Sequence, residues 1–239
     1  MSPRRWTRYV SPILLERRVL LALLFIAGSI WGFLALGEEV SEGEQLSFDR
    51  AILLAFRNPA DPNDPLGPPW FESAARDVTA LGGTVVLTLM TAGVVGYLVL
   101  AGKRSAALFV VASIAGAMIL SFAIKAGFER PRPDLVPHGV PVYTASFPSG
   151  HATGAAATYL TLGALLARFE ARRWTKIYLL SVAVTLTVLI GLSRIYLGVH
   201  WPSDVLAGWT LGSSWALFCW VIARWLQRRG KVEGGANGS

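Results

Sequence analysis

Three short stretches of this sequence concentrate side chains that are cationic, titratable or nucleophilic. The first, KAGFERPRP, covers residues 125–133, and the second, PSGH, covers residues 148–151. The third, SRIYLGVHWPSD, covers residues 193–204. Each stretch lies at the end of an apolar segment, where ionisable groups are costly and are therefore candidates for a functional role. What these groups can do together depends on their types and spacing.

The three cations Lys125, Arg132 and Arg194 are expected to converge at one membrane boundary. A phosphate is the natural partner of such a set, because arginine binds its oxygens as a fork and lysine acts as a point charge. Ser149 and Gly150 are predicted to open a helix, whose free backbone N–H groups bind anions while the glycine permits close approach. These residues indicate a phosphate-binding site.

Two histidines supply the reactive groups. His200 precedes Asp204 by four residues, and Pro202 between them favours a helix start. In that geometry Asp204 accepts a hydrogen bond from His200, fixes its tautomer and stabilises the imidazolium, as in a catalytic triad. An oriented neutral histidine can attack phosphorus. A second histidine, His151 at the other helix start, can protonate the leaving oxygen and later activate water.

Plainer interpretations of the same residues exist. A single basic residue at a helix end, such as Lys125, is usually an anchor that reaches the headgroups. His138 is predicted to lie in a solvated loop without a role. Three histidines could bind a metal, but the sequence lacks a close His, Cys and Asp cluster with ligand spacing, so we expect no metal site. The joint occurrence of the three motifs, in order and on one predicted face, favours catalysis.

The composition predicts an all-α polytopic membrane protein. Only 15% of the 239 residues are charged, whereas soluble domains carry about 25%. Six apolar runs approach the roughly 20 residues that cross about 30 Å of hydrocarbon as a helix. We expect one membrane domain over residues 1–229 and no soluble domain of useful size. The six predicted transmembrane helices are residues 19–36, 78–101, 106–126, 150–169, 177–197 and 205–226.

The first apolar run has a second interpretation, because arginines precede it. A secretory signal peptide has an apolar region of only about 7–15 residues. The run over residues 19–36 is longer and lacks a clear small-x-small cleavage site, which favours a retained helix.

The charge distribution predicts the orientation of the chain. With the N-terminus inside, 15 of the 22 Lys and Arg residues fall on the inner side and 12 of the 15 acidic residues on the outer side. Because basic residues mark the cytoplasmic side, we expect both termini in the cytoplasm. The net charge of +7 is then a topology signal, not evidence for nucleic-acid binding. The outer loops are residues 37–77, 127–149 and 198–204, so all three motifs lie at the outer ends of spans, on one membrane face.

The longest outer loop, residues 37–77, is predicted to contain an interfacial helix. The segment FDRAILLAF places apolar Phe48 and Leu53 near helical spacing, with Asp49 and Arg50 on the opposite side. Two interpretations stay open: the loop is a lid or rim over a lipid entry path, or a solvated loop with membrane anchors.

The remaining predictions concern the small residues, the single cysteine and the C-terminal tail. The pairs Gly28/Gly32 and Gly150/Gly154 indicate close helix packing within the chain. The single cysteine is expected to pack as a small apolar residue. Residues 230–239 are polar and glycine-rich and are predicted to be disordered.

Together, the three motifs resemble the signature of the type-2 phosphatidic acid phosphatase superfamily, the lipid phosphate phosphatases. Its first motif is Lys, six residues, then Arg-Pro, which matches residues 125–133. Its second is Pro-Ser-Gly-His, at residues 148–151, and its third is Ser-Arg, five residues, His, three residues, Asp, at residues 193–204. The sequence departs from the signature at no position.

The resemblance implies a role for each matched residue. His200 would form a phosphohistidine, Asp204 would orient it, and His151 would act as general acid and then as base. No metal or other cofactor is implied, and vanadate would be expected to inhibit. The phosphate and its transition state would be held by Lys125, Arg132, Ser149, Gly150 and Arg194.

We therefore expect a phosphatase of the bacterial inner membrane, whose site faces the periplasm and whose partners are the bilayer and a phosphorylated lipid. Undecaprenyl diphosphate ranks first as substrate, ahead of phosphatidylglycerophosphate and phosphatidic acid. One alternative is a phosphotransferase that uses the same phosphohistidine. A non-enzymatic transporter or scramblase is less favoured, because a His–Asp pair with a second histidine exceeds what binding requires. Vanadate-dependent haloperoxidases share the motifs but are soluble, which six spans argue against.

Overall fold

The computed structural model of the protein describes residues 12–41 and 47–228, and these are largely helical. The predicted helical class is confirmed, while the predicted disordered tail, residues 230–239, lies outside the described residues. Two short strands, β1 (Arg57–Asn58) and β2 (Asp61–Pro65), pair as an antiparallel hairpin. The helices are α1 (Pro12–Ser41), α2 (Ser47–Ala55), α3 (Pro69–Ala80), α4 (Thr84–Leu100), α5 (Arg104–Lys125), α6 (Gly150–Phe169), α7 (Arg173–Tyr196) and α8 (Pro202–Arg228).

Four of the described helices are long and apolar enough to cross a membrane: α1 from Val19 onward, α5, α7 and most of α8. Helices α3 and α4 count as a fifth span if the two are taken together across a 45° bend. The protein is therefore an integral membrane protein with four to five candidate spans. Judged by length and apolar composition, the described helices do not reach the predicted number of six spans.

Helix α6 accounts for the difference between five spans and the predicted six. Its bounds match the predicted span at residues 150–169, but its sequence is rich in Gly, Ala and Thr, and it is not among the apolar candidates. At about 1.5 Å per residue it is still about 30 Å long. Most of its first ten residues are buried, and it packs against α5, α7 and α8. A helix enclosed by other helices gains more from small residues than from an apolar surface, because small residues permit close backbone approach.

Glycines set the close contacts of α6. A Cβ on Gly208 of α8 would lie 2.7 Å from the Ser149 carbonyl oxygen, and one on Gly154 would lie 2.7 Å from Leu87 Cδ1. The predicted packing at Gly154 is thus present. The predicted packing at Gly28 and Gly32 is not, because a Cβ at either position would meet no described atom within 4 Å.

The predicted helix over residues 78–101 is interrupted near its start, because α3 ends at Ala80 and α4 begins at Thr84. Gly82 and Gly83 lie in the break, and glycine is a poor helix former. A Cβ on Gly82 would overlap the Ile190 side chain and lie 3.4 Å from Cδ2 of His151. The chain therefore bends at a point where it packs closely on α7 and on the start of α6.

The outer loop contains a helix, α2, as predicted, but the side of the helix that carries Asp49 is buried instead of exposed. Leu53 is buried as expected, and Arg50 is exposed. Asp49, predicted on the polar side, is fully buried, because that side of α2 packs on the start of α8 and finds hydrogen-bond donors there. Helix α2 is therefore docked on the protein through a buried carboxylate as well as through apolar contacts.

Candidate active site

Hydrogen bonds join the three motif stretches at one end of the helix bundle. Arg132 Nη1 donates to the Val199 carbonyl oxygen at 2.6 Å, which links the first stretch to the third. The Ser149 backbone N–H donates to the Asp204 carbonyl oxygen at 2.9 Å, which links the second to the third. This convergence arises because α5 and α7 end where α6 and α8 begin.

His200 lies in the turn between α7 and α8, and its side chain is 2% exposed. Its Nδ1 is 3.4 Å from Asp204 Oδ2 and 3.3 Å from Ser146 Oγ. Ser146 donates its own hydroxyl proton to Asp204 Oδ2 at 2.5 Å, so its oxygen is free to accept from the ring. Both neighbours thus favour a proton on Nδ1. The lone pair then resides on Nε2, which is 3.2 Å from Nη1 of Arg132.

Asp204 is held by the start of its own helix. It is the third residue of α8, and its Oδ2 accepts the backbone N–H of Trp201 at 2.9 Å. This is the reciprocal half of a capping box, in which an acidic residue at the third helical position binds the N-cap amide. Its Oδ1 accepts from Arg130 Nη1 at 2.5 Å. The predicted His–Asp pair is therefore present, with the carboxylate fixed at both oxygens.

Backbone carbonyls orient Arg132. Its Nε donates to the Thr144 carbonyl oxygen at 2.8 Å and its Nη2 to Thr144 Oγ1 at 3.2 Å. Burial lowers the pKa of Arg132 below its ordinary value, but an arginine retains its charge in proteins. A fixed positive charge consequently lies next to Nε2 of His200.

The other two predicted cations, Lys125 and Arg194, lie near Arg132. Lys125 Nζ donates to the Ala145 carbonyl oxygen at 2.6 Å, and its Cε approaches Gly150. Arg194 is 4% exposed and donates through Nη1 to Thr79 Oγ1 at 3.0 Å. Its buried Nε has no hydrogen-bond partner within the described part of the chain. A buried cation with an unfilled donor is suited to an anionic ligand, because it otherwise stays poorly compensated.

The surroundings of His200 keep its ring neutral. Complete burial lowers the pKa of His200 from its ordinary 6.5 to about 3, since a charged ring would lose its hydration. The positive charges of Arg194 and Arg132 act in the same direction, and the contact with Asp204 opposes them. A neutral ring with its proton on Nδ1 carries its lone pair on Nε2, the atom that can attack phosphorus.

The second motif forms the first turn of α6, as predicted. Ser149 is the N-cap and accepts the Ala152 N–H at 3.4 Å, and Gly150 is the first helical residue. His151 follows on the helix, with its ring against Gly82 at the α3–α4 break. The free amides of this helix start point toward the same end of the bundle as His200.

Two contributing residues were not predicted. Ser146, two residues before the second motif, binds Asp204 and lies beside His200 Nδ1. Arg130 lies within the first motif and contacts Asp204 directly, but no role was assigned to it. The sequence could have indicated Arg130, because it is a third cation in residues 125–133 and no role had been assigned to it. His138 is exposed, as expected, with its Nε2 2.8 Å from the Pro133 carbonyl oxygen.

Within residues 12–41 and 47–228 no group of three or more His, Cys, Asp or Glu side chains could hold a metal ion. The absence of a metal cofactor remains a prediction. The positive charge near His200 comes from the side chains of Arg132 and Arg194.

Fold and site together define a helical membrane protein with a buried histidine–aspartate pair among cations suited to a phosphate. A family model described as PAP2 superfamily matches residues 106–228. The chain is 32% identical over 151 residues to phosphatidylglycerophosphatase B of Bacillus subtilis, covering 60% of this chain and 71% of the relative. It is 41% identical over 73 residues to an undecaprenyl-diphosphatase of Sulfolobus acidocaldarius, covering 30% of this chain and 31% of that one.

A solved structure agrees with these sequence matches. The crystal structure of a transmembrane PAP2-type phosphatidylglycerolphosphate phosphatase from Bacillus subtilis superposes with a TM-score of 0.71 and 26% identity, covering 88% of this chain and 98% of that one. Because the family model matches just over half of the chain, the chain belongs to the PAP2 superfamily. The resemblance inferred from the three motifs is confirmed.

Proposed function

We propose that this chain hydrolyses a phosphate monoester or diphosphate on a membrane lipid, with His200 as the nucleophile. Membership of the PAP2 superfamily makes it a lipid phosphate phosphatase. The observation that carries the proposed mechanism is the placement of His200, with Nδ1 beside Asp204 and Nε2 beside the fixed cation of Arg132.

In the first step Nε2 of His200 attacks phosphorus, a bond forms between the two, and the bond to the leaving lipid oxygen breaks. Arg132 Nη1 lies 3.2 Å from Nε2 and engages its lone pair. An arriving phosphate displaces this contact, so that Arg132 binds a phosphate oxygen and Nε2 faces phosphorus. Asp204 stabilises the positive charge that develops on the ring as the phosphohistidine forms.

His151 is the proposed acid and base. It donates a proton to the leaving oxygen in the first step and withdraws one from the attacking water in the second. Its position on the first turn of α6, beside the helix start that binds the phosphate, supports this role. After the second step the water oxygen is bonded to phosphorus, inorganic phosphate leaves, and His200 is free again.

The proposed phosphate pocket comprises Lys125, Arg132, Arg194, and the helix start at Ser149 and Gly150. Its fixed cations face the charge that accumulates on the phosphate oxygens in the transition state, where preorganised electrostatics contributes most of the rate. The unpartnered Nε of Arg194 supports its assignment, since an oxyanion supplies the missing acceptor. Because these side chains carry the positive charge, we propose that the reaction needs no divalent metal.

The proposed substrate is a prenyl diphosphate or a phosphorylated glycerolipid. A relative named undecaprenyl-diphosphatase and one named phosphatidylglycerophosphatase B support both classes. We rank undecaprenyl diphosphate first, ahead of phosphatidylglycerophosphate and phosphatidic acid. The ranking rests on the proposed periplasmic orientation, because recycled carrier lipid appears on the outer face.

We further propose six spans in a bacterial inner membrane, with α6 as the enclosed span and both termini in the cytoplasm. The length of α6, about 30 Å, supports its crossing, and the excess of basic residues on one side supports the orientation.

The proposed function is tested by phosphate release from purified protein in detergent. The panel contains undecaprenyl diphosphate, phosphatidylglycerophosphate and phosphatidic acid, assayed with and without EDTA. We expect release from at least one lipid, unchanged by EDTA, inhibited by vanadate and abolished in His200→Ala. Wild-type activity in His200→Ala would overturn the nucleophile, and activity that EDTA removes and a divalent ion restores would overturn the metal-free mechanism.

A further inference from the structure

Asp49 is remote in sequence from the three motifs, yet its carboxylate contacts the start of α8. It is fully buried, its Oδ1 accepts the Ser203 backbone N–H at 2.7 Å, and its Oδ2 accepts the Ser203 hydroxyl at 2.5 Å. Pro202, the first residue of α8, has no N–H, so Ser203 carries the first free amide of the helix. Asp49 therefore caps α8 from a different helix, directly beside Asp204.

Arg130 connects Asp49 to Asp204. Its Nη2 donates to Asp49 Oδ2 at 2.8 Å and its Nη1 to Asp204 Oδ1 at 2.5 Å, while its side chain is 7% exposed. Nη1 also donates to Ser203 Oγ at 2.7 Å. One guanidinium thus bridges two buried carboxylates that come from the outer-loop helix α2 and from α8.

The bridge determines how Asp204 is held. Three donors, from Ser146, Trp201 and His200, already surround Oδ2, whereas Oδ1 accepts from Arg130 within the described part of the chain. Without Arg130 the carboxylate could rotate and exchange its oxygens, and two buried negative charges would lack compensation. Removing one partner of a buried ion pair is costly for that reason.

We propose that Asp49 and Arg130 are positioning residues, which hold Asp204 and through it the Nδ1-protonated form of His200. The active site is then complete only while α2 is packed on α8. This assigns to the outer-loop helix a function in catalysis beyond anchoring or covering the site. The inference rests on the proposed function, because it requires His200 to be the nucleophile.

Asp49→Asn is the decisive variant. Asparagine keeps an oxygen that can accept the Ser203 amide, so the cap on α8 is retained, but the negative charge that faces Arg130 is lost. Arg130→Lys keeps a positive charge and loses the fork. Asp77→Asn, an exposed carboxylate on α3, is the matched control.

The experiment measures kcat and KM on the best lipid substrate, with functional active sites counted by trapped phosphoenzyme. We expect kcat per active site to fall about 10- to 100-fold in Asp49→Asn, the range found when the hydrogen-bond partner of a metal-ligating residue is removed. KM should stay within about twofold, because the phosphate ligands are intact. The double variant Asp49→Asn/Arg130→Lys should be no slower than the worse single variant, since both act through one contact.

A purely structural role of Asp49 would lower the number of active sites and leave kcat per site unchanged, and that result would overturn the inference. Wild-type kcat in Asp49→Asn, or the same loss in Asp77→Asn, would overturn it too. Failure of the proposed function would look different: the wild-type protein would release no phosphate, or His200→Ala would stay active. Either result would also overturn this inference, because it rests on the proposed function.

Discussion

The backbone N–H of Ser149 and the carbonyl oxygen of Asp204 are joined by a 2.9 Å hydrogen bond. Ser149 begins the helix that carries His151, and Asp204 belongs to the first turn of the helix that follows His200. This backbone contact therefore links the segment that carries the proposed nucleophile to the helix that carries the proposed acid–base. Anything that separates α6 from α8 should disturb both stability and catalysis.

Gly208→Ala tests this dependence. Its Cβ would lie 2.7 Å from the Ser149 carbonyl oxygen and 2.8 Å from Ala152 Cβ, so α8 must move away from α6. We expect the free energy of unfolding to fall by about 1–3 kcal/mol, the usual cost of overpacking, together with a loss of activity. Denaturant or thermal unfolding in detergent measures the first effect and phosphate release the second.

The control for this variant is Gly93→Ala on α4, where a Cβ would meet no described atom within 4 Å. Glycine in a helix interior is less stable than alanine by about 0.5–1 kcal/mol, so this variant should be as stable as the wild type or slightly more stable. A Gly208→Ala protein with wild-type stability and activity would contradict the close α6–α8 contact.

His151→Ala is expected to separate the two chemical steps. Because His151 is the proposed acid and base, its loss should lower kcat on a lipid phosphate about 10²- to 10⁴-fold. With p-nitrophenyl phosphate the leaving group needs little protonation, so the first step should suffer less than the second, and phosphoenzyme should accumulate. Rapid quenching with labelled substrate measures it. Equal losses on both substrates, without accumulation, would contradict the assignment, and His138→Ala, at an exposed loop position, should behave as wild type.

The low pKa of His200 predicts how stability depends on pH. Burial lowers this pKa from 6.5 to about 3, so between these values the unfolded chain binds a proton that the folded protein does not. Stability from this group is therefore present above pH 6.5 and is lost as the pH falls, by up to about 1.4 kcal/mol per unit. The difference in unfolding free energy between wild type and His200→Asn should shift against the wild type from pH 7 to pH 5. A constant difference would show that the ring is not held neutral.

The sequence predicted the parts of the fold and site that depend on local pattern. The start of α6 at Gly150 and the end of α5 at Lys125 follow from apolar runs bounded by polar motifs, and the structure has both. His200 and Asp204 meet because four residues and a proline place them at one helix start. Such features need only the neighbouring residues to be known.

Features that depend on distant residues were missed. The break at Gly82 forms where the chain passes Ile190 and His151, which no local hydropathy pattern reveals. Asp49 has the spacing of an exposed helix residue, and only its partners on another helix and in a loop explain its burial. Hydropathy also could not show that α6 is enclosed by protein, because that property belongs to the packed bundle.

Orientation is the last prediction. The proposed orientation, with most basic residues in the cytoplasm, predicts that residue 137 lies outside and residue 172 inside. Both positions are exposed in the structure. In a Cys219→Ala background, a membrane-impermeant maleimide applied to intact cells should label Pro137→Cys and should reach Arg172→Cys only after lysis. Activity of both variants serves as the control for folding. Labelling of Arg172→Cys alone in intact cells would invert the topology and move the active site to the cytoplasmic face. The ranking of undecaprenyl diphosphate would then lose its support, because it rests on an outward-facing His200.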